Sequence, residues 1–468
     1  MLYHSTRGLD GSRSFSEVLH SGLAGKGNGG LFVPESVPTL NRGTIDEWKH
    51  YSYEELAVEI ISLFSGDCFS RSELTDIVYQ SYSGFQHEIK SPLTKLEENH
   101  FLLELFHGPT LAFKDFAMQV IAKMFARTLQ KKNLKINIVT ATSGDTGSAA
   151  VEAFKNLSNV NLYVLYPHER ISQIQRMQMT TANATNIKVF AVQGTFDDCQ
   201  SIVKRLFADK ELVSDVNLSG VNSINWARIL IQTVYYFSAF YQLKFVYGEK
   251  VSFCVPTGNF GDAYAGYLAK KMGLPINKII VATNENDILD RVFKTGTYKS
   301  DQVSQTLSPS MDIQVASNFE RLLFDLLNKD PKKVCELMNK LAKKGGFNVD
   351  KKIIKQILKD FDSGAVTDKD TVTTIGQFYH SREVILCPHS AIGVRVAQDF
   401  VNAGETVISL GTAHPAKFKD TVESALNISI PIPLPLKDVI KKNENVKVIS
   451  PDKGLVAEEI RNSKFTSY

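Results

Sequence analysis

The 468-residue sequence has few cysteines, no long apolar run and almost no excess of charge of either sign. Its five cysteines are widely spaced and form no CxxC pair, which excludes a locally built zinc site, predicts no bound metal and indicates free thiols in a reducing cytoplasm. No stretch of 18 apolar residues is present, so the sequence predicts no membrane-spanning helix and no membrane partner. The net charge of +3 argues against a nucleic-acid partner, because such proteins usually carry a concentrated basic field.

The first 85 or so residues predict a small, mostly helical N-terminal domain. Ser14 and Glu17 have capping-box spacing, and apolar residues recur at helical spacing from Tyr53 towards a glycine C-cap at Gly66. The segment 25–30 holds four glycines and predicts a loop. The N-terminus shows no charged segment followed by an apolar core, so no secretory signal is expected.

From residue 86 to about 430, short β-rich runs alternate with helical stretches, which predicts βα units and a parallel sheet covered by helices. The lysine-rich segment 330–370 predicts a solvated helical insertion. The prolines of 431–435 predict the exit from the core, which leaves 431–468 as a C-terminal segment. The predicted strands are Ile136–Thr142, Asn161–Tyr166, Ile187–Val192, Val251–Val255, Lys278–Ala282, Glu383–Cys387 and Thr406–Leu410.

Two strand-to-helix turns have the composition of an anion site. The first contains Ser143, Gly144, Asp145 and Thr146, and the second runs from Pro256 to Asp262. Small and polar residues at a helix start leave backbone N–H groups free at the positive end of the helix dipole. The alternative is a well-capped helix, with Ser143 or Asp145 as the N-cap of the first. No GxxxxGK[ST] motif is present, so a Walker-type phosphate site is excluded.

One lysine and one threonine are further candidates for the functional site. Lys114 lies in an apolar and aromatic run, where partial desolvation would lower its pKa and make it a usable amine nucleophile, although a surface lysine is the alternative. Thr412 follows a predicted strand and offers a hydroxyl to a ring nitrogen, although a simple turn residue is the alternative. A reactive lysine, a phosphate cradle and such a hydroxyl together indicate pyridoxal phosphate.

Four strings carry a resemblance to one family. ELFHGPTLAFKDF, TATSGDTGSAA, VPTGNFGDAYAG and LGTAHPAKFKD occur in this order, with GLFVPE at Gly30–Glu35 near the start, and they resemble threonine synthases of bacteria and fungi. The resemblance implies the tryptophan-synthase-β-like fold (fold type II of pyridoxal phosphate enzymes), with two α/β subdomains and the cofactor between them. It also implies conversion of O-phospho-L-homoserine and water to L-threonine and phosphate.

The resemblance also implies site roles. Lys114 would hold the cofactor as a Schiff base, Thr412 would contact its pyridine nitrogen, and Gly258, Asn259, Phe260, Gly261 and Asp262 would bind its phosphate. The turn of Ser143, Gly144, Asp145 and Thr146 would receive the substrate carboxylate. By charge and polarity, the candidates for the substrate phosphate are Arg170, Asn222, Ser223 and Arg228.

Two other functions remain open from the sequence. A related phospho-lyase would use the same cofactor residues but release 2-oxobutyrate, ammonia and phosphate. A non-catalytic protein that kept the fold would be expected to have lost Lys114 or the phosphate turn, and both are intact. The sequence does not choose between a monomer and a homodimer.

Overall fold

A computed structural model describes residues 1–8, 10–21, 29–243 and 250–463. In these residues the strands are β1 Leu2–Ser5, β2 Arg13–Ser14, β3 Phe32–Pro34, β4 Leu93–Glu97, β5 His100–Glu104, β6 Ile136–Ala141, β7 Val160–Pro167, β8 Ile187–Val192, β9 Leu218–Ser219, β10 Val251–Pro256, β11 Ile276–Thr283, β12 Thr297–Lys299, β13 Gly346–Asn348, β14 Phe361–Ala365, β15 Val407–Gly411 and β16 Lys447–Ile449.

The helices alternate with these strands and cover their faces. They are α1 Phe15–His20, α2 Arg42–Trp48, α3 Tyr53–Ser65, α4 Arg71–Tyr82, α5 Lys114–Lys132, α6 Asp145–Phe154, α7 Gln173–Thr180, α8 Phe196–Ala208, α9 Lys210–Asp215, α10 Trp226–Gln242, α11 Gly261–Lys271, α12 Ile288–Thr295, α13 Phe319–Leu326, α14 Pro331–Lys344, α15 Lys351–Asp360, α16 Asp368–Arg382, α17 Pro388–Asn402, α18 Lys419–Leu426, α19 Leu434–Ile440 and α20 Lys453–Arg461. Short 3₁₀ helices lie at Gly66–Cys68, Pro309–Met311 and Pro415–Phe418.

Two sheets form the catalytic part of the fold. One has five strands in the order β16-β8-β7-β6-β9, and all its pairings are parallel. The other has six strands in the order β14-β11-β10-β15-β5-β4, and only β4 runs antiparallel to its neighbour. The central strands are buried on both faces, which explains their continuous apolar runs. The predicted parallel α/β fold covered by helices is confirmed.

The N-terminal part combines helices α1–α4 with a small antiparallel sheet of β1, β2 and β3. The capping box at Ser14 and the glycine C-cap at Gly66 are both present, as predicted. Buried Tyr3 donates a hydrogen bond to the Phe64 carbonyl at 2.8 Å and packs against Trp226 at the start of α10. This part is therefore joined to the catalytic sheets through one continuous apolar core.

Six of the seven predicted strands are confirmed within about two residues, and Glu383–Cys387 is wrong. Glu383 ends α16 in a left-handed conformation, and Cys387 caps α17 ahead of Pro388, so these residues connect two helices. The run is apolar because Leu386 and Cys387 pack into a buried cluster beside α16 and α17. Burial of a connector, not strand pairing, accounts for its composition.

Two further expectations need correction. The segment 330–370 is mostly helical, but it also contributes β14 to the edge of the six-stranded sheet. The prolines of 431–435 do not end the folded chain, because α19 begins at Leu434 and β16 then pairs with β8 in the other sheet. Most of the predicted loop 25–30 lies outside the described residues. Among the helices described, none combines the length and apolar character needed to cross a membrane.

Candidate active site

A cavity of about 260 Å³ lies where the carboxyl ends of strands from both sheets meet. Loops that follow β5, β6, β10 and β15 open into it, as expected for ligand sites in parallel α/β sheets. Of the predicted site residues, those lining the cavity are Lys114, Ser143, Asp145, Thr146, Asn222, Ser223, Arg228, Gly258, Asn259, Phe260, Gly261, Asp262 and Thr412. The structure therefore brings together residues from five separate parts of the sequence.

Lys114 is the first residue of α5 and sits beside the loop of Thr412. The Phe113 N–H donates to the Thr412 carbonyl at 2.8 Å, and the His414 N–H donates to the Leu111 carbonyl at 3.0 Å. Because β5 and β15 are parallel neighbours, these two bonds fix both loops at one sheet edge. The lysine side chain is only 12% exposed, so its amine is held inside the cavity.

The surroundings of Lys114 favour a neutral amine. Burial lowers the pKa of Lys114 to about 8, although the Asp145 carboxylate, 3.9 Å from the Nζ atom, acts in the opposite direction. Nearby cationic Arg228 and Lys417 add to the lowering. A lysine with such a pKa has far more free amine near neutral pH than an ordinary lysine, and a nucleophile or proton acceptor needs that form.

The second predicted anion turn leads into α11, which begins without a side-chain cap. Phe260 occupies the N-cap position with φ of 63°, a left-handed conformation that is uncommon for a bulky residue. Its ring is held in an aromatic cluster with Phe293, Phe319 and Phe361, at centroid distances of 5.5–6.4 Å. This cluster holds the strained backbone of Phe260 in place. The first N–H groups of α11 remain free for an anion.

Gly258 and Asp262 flank this cradle. A Cβ atom on Gly258 would lie 3.0 Å from both the Ile313 Cδ1 atom and the Ser310 carbonyl, so a larger residue would crowd the facing loop. The Asp262 Oδ1 atom accepts hydrogen bonds from the Tyr235 and Tyr236 hydroxyls at 2.5 and 2.8 Å. These bonds occupy that oxygen, and the backbone N–H groups at the start of α11 are the donors available to an anion.

In the first predicted anion turn, the N-cap residue of α6 likewise provides no side-chain cap. The N-cap of α6 is Gly144, with φ of 133°. The alternative to an anion site, a helix capped by Ser143 or Asp145, is therefore not what the structure shows. A Cβ atom at Gly144 would lie within 2.4 Å of the Gln175 side chain, which explains the glycine. Thr142 Oγ1 accepts from the N–H groups of Gly144 and Gly147 at 2.9 and 2.8 Å and shapes the turn.

Several buried polar atoms at the cavity have no hydrogen-bond partner among the described residues. They include Thr412 Oγ1, Arg228 Nε, Asp262 Oδ2 and His389 Nδ1. Since unpaired buried polar atoms are rare and costly, their concentration at one cavity indicates a polar ligand. The Thr412 N–H is held by Ser390 Oγ at 3.0 Å, which fixes the loop while leaving the hydroxyl free.

Arg228 is the predicted cation that the structure places in the cavity. It is buried, donates to the Val221 carbonyl at 3.3 Å, and has no carboxylate within 4.0 Å among the described residues. Burial lowers the pKa of Arg228 to about 10, so it remains charged at neutral pH. Arg170, by contrast, is exposed and does not line the cavity. Its place at the end of β7, beyond Pro167, turns it towards solvent.

Three residues near the site were not singled out from the sequence: Gln175, His389 and Lys417. His389 Nε2 accepts from the Ser310 N–H at 3.2 Å, and burial lowers the pKa of the ring to about 4, so the imidazole is neutral. Lys417 is fully buried and pairs with Asp145 at 2.9 Å. Lys417 lies in the quoted string LGTAHPAKFKD, but no sequence pattern indicates its contact with a residue 272 positions earlier.

Comparisons with known proteins agree with this geometry. The protein-family model described as "Pyridoxal-phosphate dependent enzyme" matches residues 85–352, more than half of the chain. This match defines the class of enzyme to which the fold and cavity belong. The models described as "Threonine synthase N terminus" and "Threonine synthase, C-terminal" match residues 2–82 and 390–460. The chain belongs to the threonine synthase family.

Individual relatives cover nearly the whole chain. Threonine synthase of Pseudomonas aeruginosa is 44% identical over 96% of both chains, and that of Saccharomyces cerevisiae is 45% identical over 91% of this chain and 89% of its own. A crystal structure of threonine synthase from Brucella melitensis with bound PLP superposes with a TM-score of 0.94, at 43% identity, over 98% of this chain and 99% of its own. Threonine synthase-like 2 of Xenopus laevis is 37% identical over 94% of both chains.

Proposed function

We propose that the chain is a threonine synthase, a lyase of threonine biosynthesis that converts O-phospho-L-homoserine and water to L-threonine and phosphate with pyridoxal phosphate. The observation that carries the proposal is the meeting in one cavity of Lys114, two helix N-termini whose N-cap residues provide no side-chain cap, and the unpaired Thr412 hydroxyl. Each of these features suits a different part of the cofactor or the substrate.

The residues present fit the cofactor. Lys114 offers a buried amine of lowered pKa for a Schiff base, and the start of α11 offers free N–H groups for a phosphate. The Thr412 hydroxyl has no partner among the described residues and can pair with a ring nitrogen. When bound, pyridoxal phosphate withdraws electrons from the α-carbon of an amino acid.

The chain's own residues then bind, orient and move protons. The α6 N-terminus and Arg228 supply positive potential on one side of the cavity, and we assign them to the substrate carboxylate and phosphate, respectively. Asn222 and Ser223 lie beside Arg228 and complete the polar wall. Over the whole reaction, phosphate leaves the γ-carbon, which gains a proton; the β-carbon loses a proton and gains hydroxide from water; and the α-proton is removed and then returned. Lys114 Nζ is the group placed to accept and return a proton.

The test is product analysis with purified protein and O-phospho-L-homoserine. Threonine formed in equal amount with phosphate is the expected result, and Lys114→Ala serves as the control for contaminating activity. Phosphate with 2-oxobutyrate and ammonia, but without threonine, would instead establish the phospho-lyase. Protein that shows no visible absorption from bound cofactor would support a non-catalytic role.

We further propose three chain regions and a location. The regions are an N-terminal domain at 1–85, a cofactor-binding region at 86–430 with two α/β subdomains, and a C-terminal segment at 431–468; the break between the matched family models near residue 83 supports the first boundary. We place the enzyme in the cytoplasm, as either a monomer or a homodimer. The five free cysteines support a reducing compartment.

A further inference from the structure

Lys417 is a fully buried lysine that lies next to the active site. It sits in the 3₁₀ helix Pro415–Phe418, which follows the Thr412 loop. Its Nζ atom is 2.9 Å from Asp145 Oδ1 and donates a hydrogen bond to the Thr110 carbonyl at 2.7 Å. A lysine with 0% of its side chain exposed is held by its partners, since an unpaired buried ammonium would be very costly.

The Asp145 carboxylate is oriented by two donors on one oxygen. Oδ1 faces Lys417 and also accepts from Gln175 Nε2 at 2.9 Å, while Oδ2 faces Lys114 Nζ at 3.9 Å. The Gln175 amide cannot turn over, because its Oε1 atom accepts from the Ser172 N–H at 3.3 Å in the capping box of α7. The Ser172 hydroxyl in turn donates to the Lys417 carbonyl at 3.0 Å. One carboxylate therefore stands between two lysines, with the shorter contact to Lys417.

The charge balance of this group adds to burial in setting the protonation state of Lys114. Burial alone would raise the pKa of Asp145, but Lys417 first and then Lys114 outweigh it, so the pKa of that carboxyl lies well below its usual range. A buried carboxylate with Lys114 as its only cation would hold that amine as an ammonium ion. A protonated Lys114 could neither attack an aldehyde nor accept a proton.

We propose that Lys417 is a positioning residue that neutralises Asp145, so that the carboxylate does not hold the Lys114 amine in an ion pair. The inference rests on the proposed role of Lys114 and extends it, because it assigns the availability of the amine to a second lysine that stands outside the cavity lining. Lys417 does not line the cavity; it offsets the Asp145 charge that Lys114 experiences, and its own positive charge also lowers the pKa of Lys114.

Other charged or titratable groups also face Lys114. Arg228 lowers its pKa and Asp262 raises it, and His389 is the nearby imidazole, which is neutral. Lys417 lowers the pKa of His389 while Asp145 raises it, so the variant that removes both charges is compared with the variant that removes Lys417 alone.

The experiment is a pH titration of the visible absorption band of the holoenzyme, which reports protonation at the Lys114 nitrogen. In Lys417→Met the apparent pKa is expected to rise by about 1 unit or more, because the Asp145 charge is then left to Lys114. In the double variant Asp145→Asn with Lys417→Met, both charges are gone, and the pKa is expected to return to within about 0.5 unit of the wild type. Lys188→Met, which removes the pair with Glu459 at 2.8 Å on β8, is the control and should shift nothing.

The outcomes separate the inference from its alternatives. An unchanged titration in Lys417→Met, with or without a loss of thermal stability, would show that Lys417 only packs and would overturn the inference. An equal shift in the single and double variants would also overturn it, because the effect would not pass through Asp145.

If Lys417→Met does not fold, Asp145→Asn is compared with the double variant. The single change leaves Lys417 uncompensated and should lower the apparent pKa, and the double change should restore it; equal values would contradict the proposal. Absence of the visible band from the wild type would instead refute the proposed function.

Discussion

Replacement of Asp262 by asparagine is expected to make the stability of the cofactor-free protein less dependent on pH. Asp262 is fully buried, with Oδ1 bonded to two tyrosine hydroxyls and Oδ2 without a partner in the described part of the chain. Burial raises its pKa to about 6, although the bonds from Tyr235 and Tyr236 act in the opposite direction. An unfolded chain would have a carboxyl pKa of about 3.9.

The sign and size of the pH effect on stability follow from the difference between the folded-state and unfolded-state pKa of Asp262. The native state binds the Asp262 proton more tightly than the unfolded state, so stability is lost as the pH rises from about 4 through about 6. A difference of about 2 pKa units corresponds to about 3 kcal/mol. An asparagine would still accept the hydrogen bonds from both tyrosines, and it carries no charge that must be buried. Its NH₂ group would have no hydrogen-bond partner, which costs about 1–3 kcal/mol of stability. At neutral pH the variant should therefore be as stable as the wild type or more so.

The assay is scanning calorimetry of both cofactor-free proteins from about pH 4 to about pH 8. The melting temperature of Asp262→Asn relative to wild type should rise with pH by about 3 °C, because the unfolding entropy of a chain of this length is roughly 1 kcal/mol/K. Asp209→Asn is a control that should show no such rise, because hydrogen bonds from Lys453 and the Leu212 N–H lower the pKa of that partly exposed carboxyl, which therefore stays ionised over most of this range. A difference for Asp262→Asn that stays constant across this range would refute the reasoning.

Three further changes test other parts of the site. Gly144→Ala should reduce kcat/KM by about tenfold or more, because a Cβ at φ of 133° meets Gln175 within 2.4 Å; steady-state kinetics close to wild type would contradict this. Arg228→Met should raise KM for O-phospho-L-homoserine about 10- to 100-fold without lowering the melting temperature, since no carboxylate pairs with it in the described residues; an unchanged KM removes Arg228 from the site. Thr412→Val should leave the cofactor-free protein equally stable but weaken pyridoxal phosphate about 5- to 10-fold in a fluorescence titration; equal affinity would exclude its hydroxyl as a ligand.

The predictable part of the fold is the part encoded by local patterns. Buried strands such as Ile187–Val192 read as continuous apolar runs between turns, and their boundaries follow from sequence. Glu383–Cys387 has the same composition but lies between two helices, because a short apolar run does not reveal whether its neighbours are strands or helices. The return of β16 to β8 joins positions more than 250 residues apart, and no local signal marks it.

The same division holds at the site. Lys114 and the glycine-rich turns lie in segments of unusual local composition, so they can be predicted from the sequence. Lys417, Gln175 and His389 look like ordinary surface or helical residues in the sequence. Their importance arises from contacts with distant partners, such as the pairing of Lys417 with Asp145. Arg170 shows the reverse error, because its charge suggested a ligand but its side chain faces solvent.

The helices that carry Lys114 and the two anion turns depart from local rules in the same way. In none of α5, α6 and α11 does the N-cap residue provide a side-chain cap, whereas α3, α4, α7 and α8 have complete capping boxes. Missing caps alone mark nothing, since α12, α13, α18 and α19 also lack them. Each of the three is also preceded by a residue with positive φ: Leu111, Gly144 and Phe260.

Leu111 and Phe260 are the only apolar side chains with positive φ in the described residues; the others at such angles, glycines apart, are asparagine, lysine and glutamate. A left-handed backbone at a bulky residue costs free energy and persists only where the surrounding structure holds it. Here that structure is the aromatic cluster beneath Phe260 and the bonds between the Lys114 and Thr412 loops. Strain, uncapped N–H groups and unpaired polar atoms thus coincide at one cavity, where a bound anion would satisfy them together.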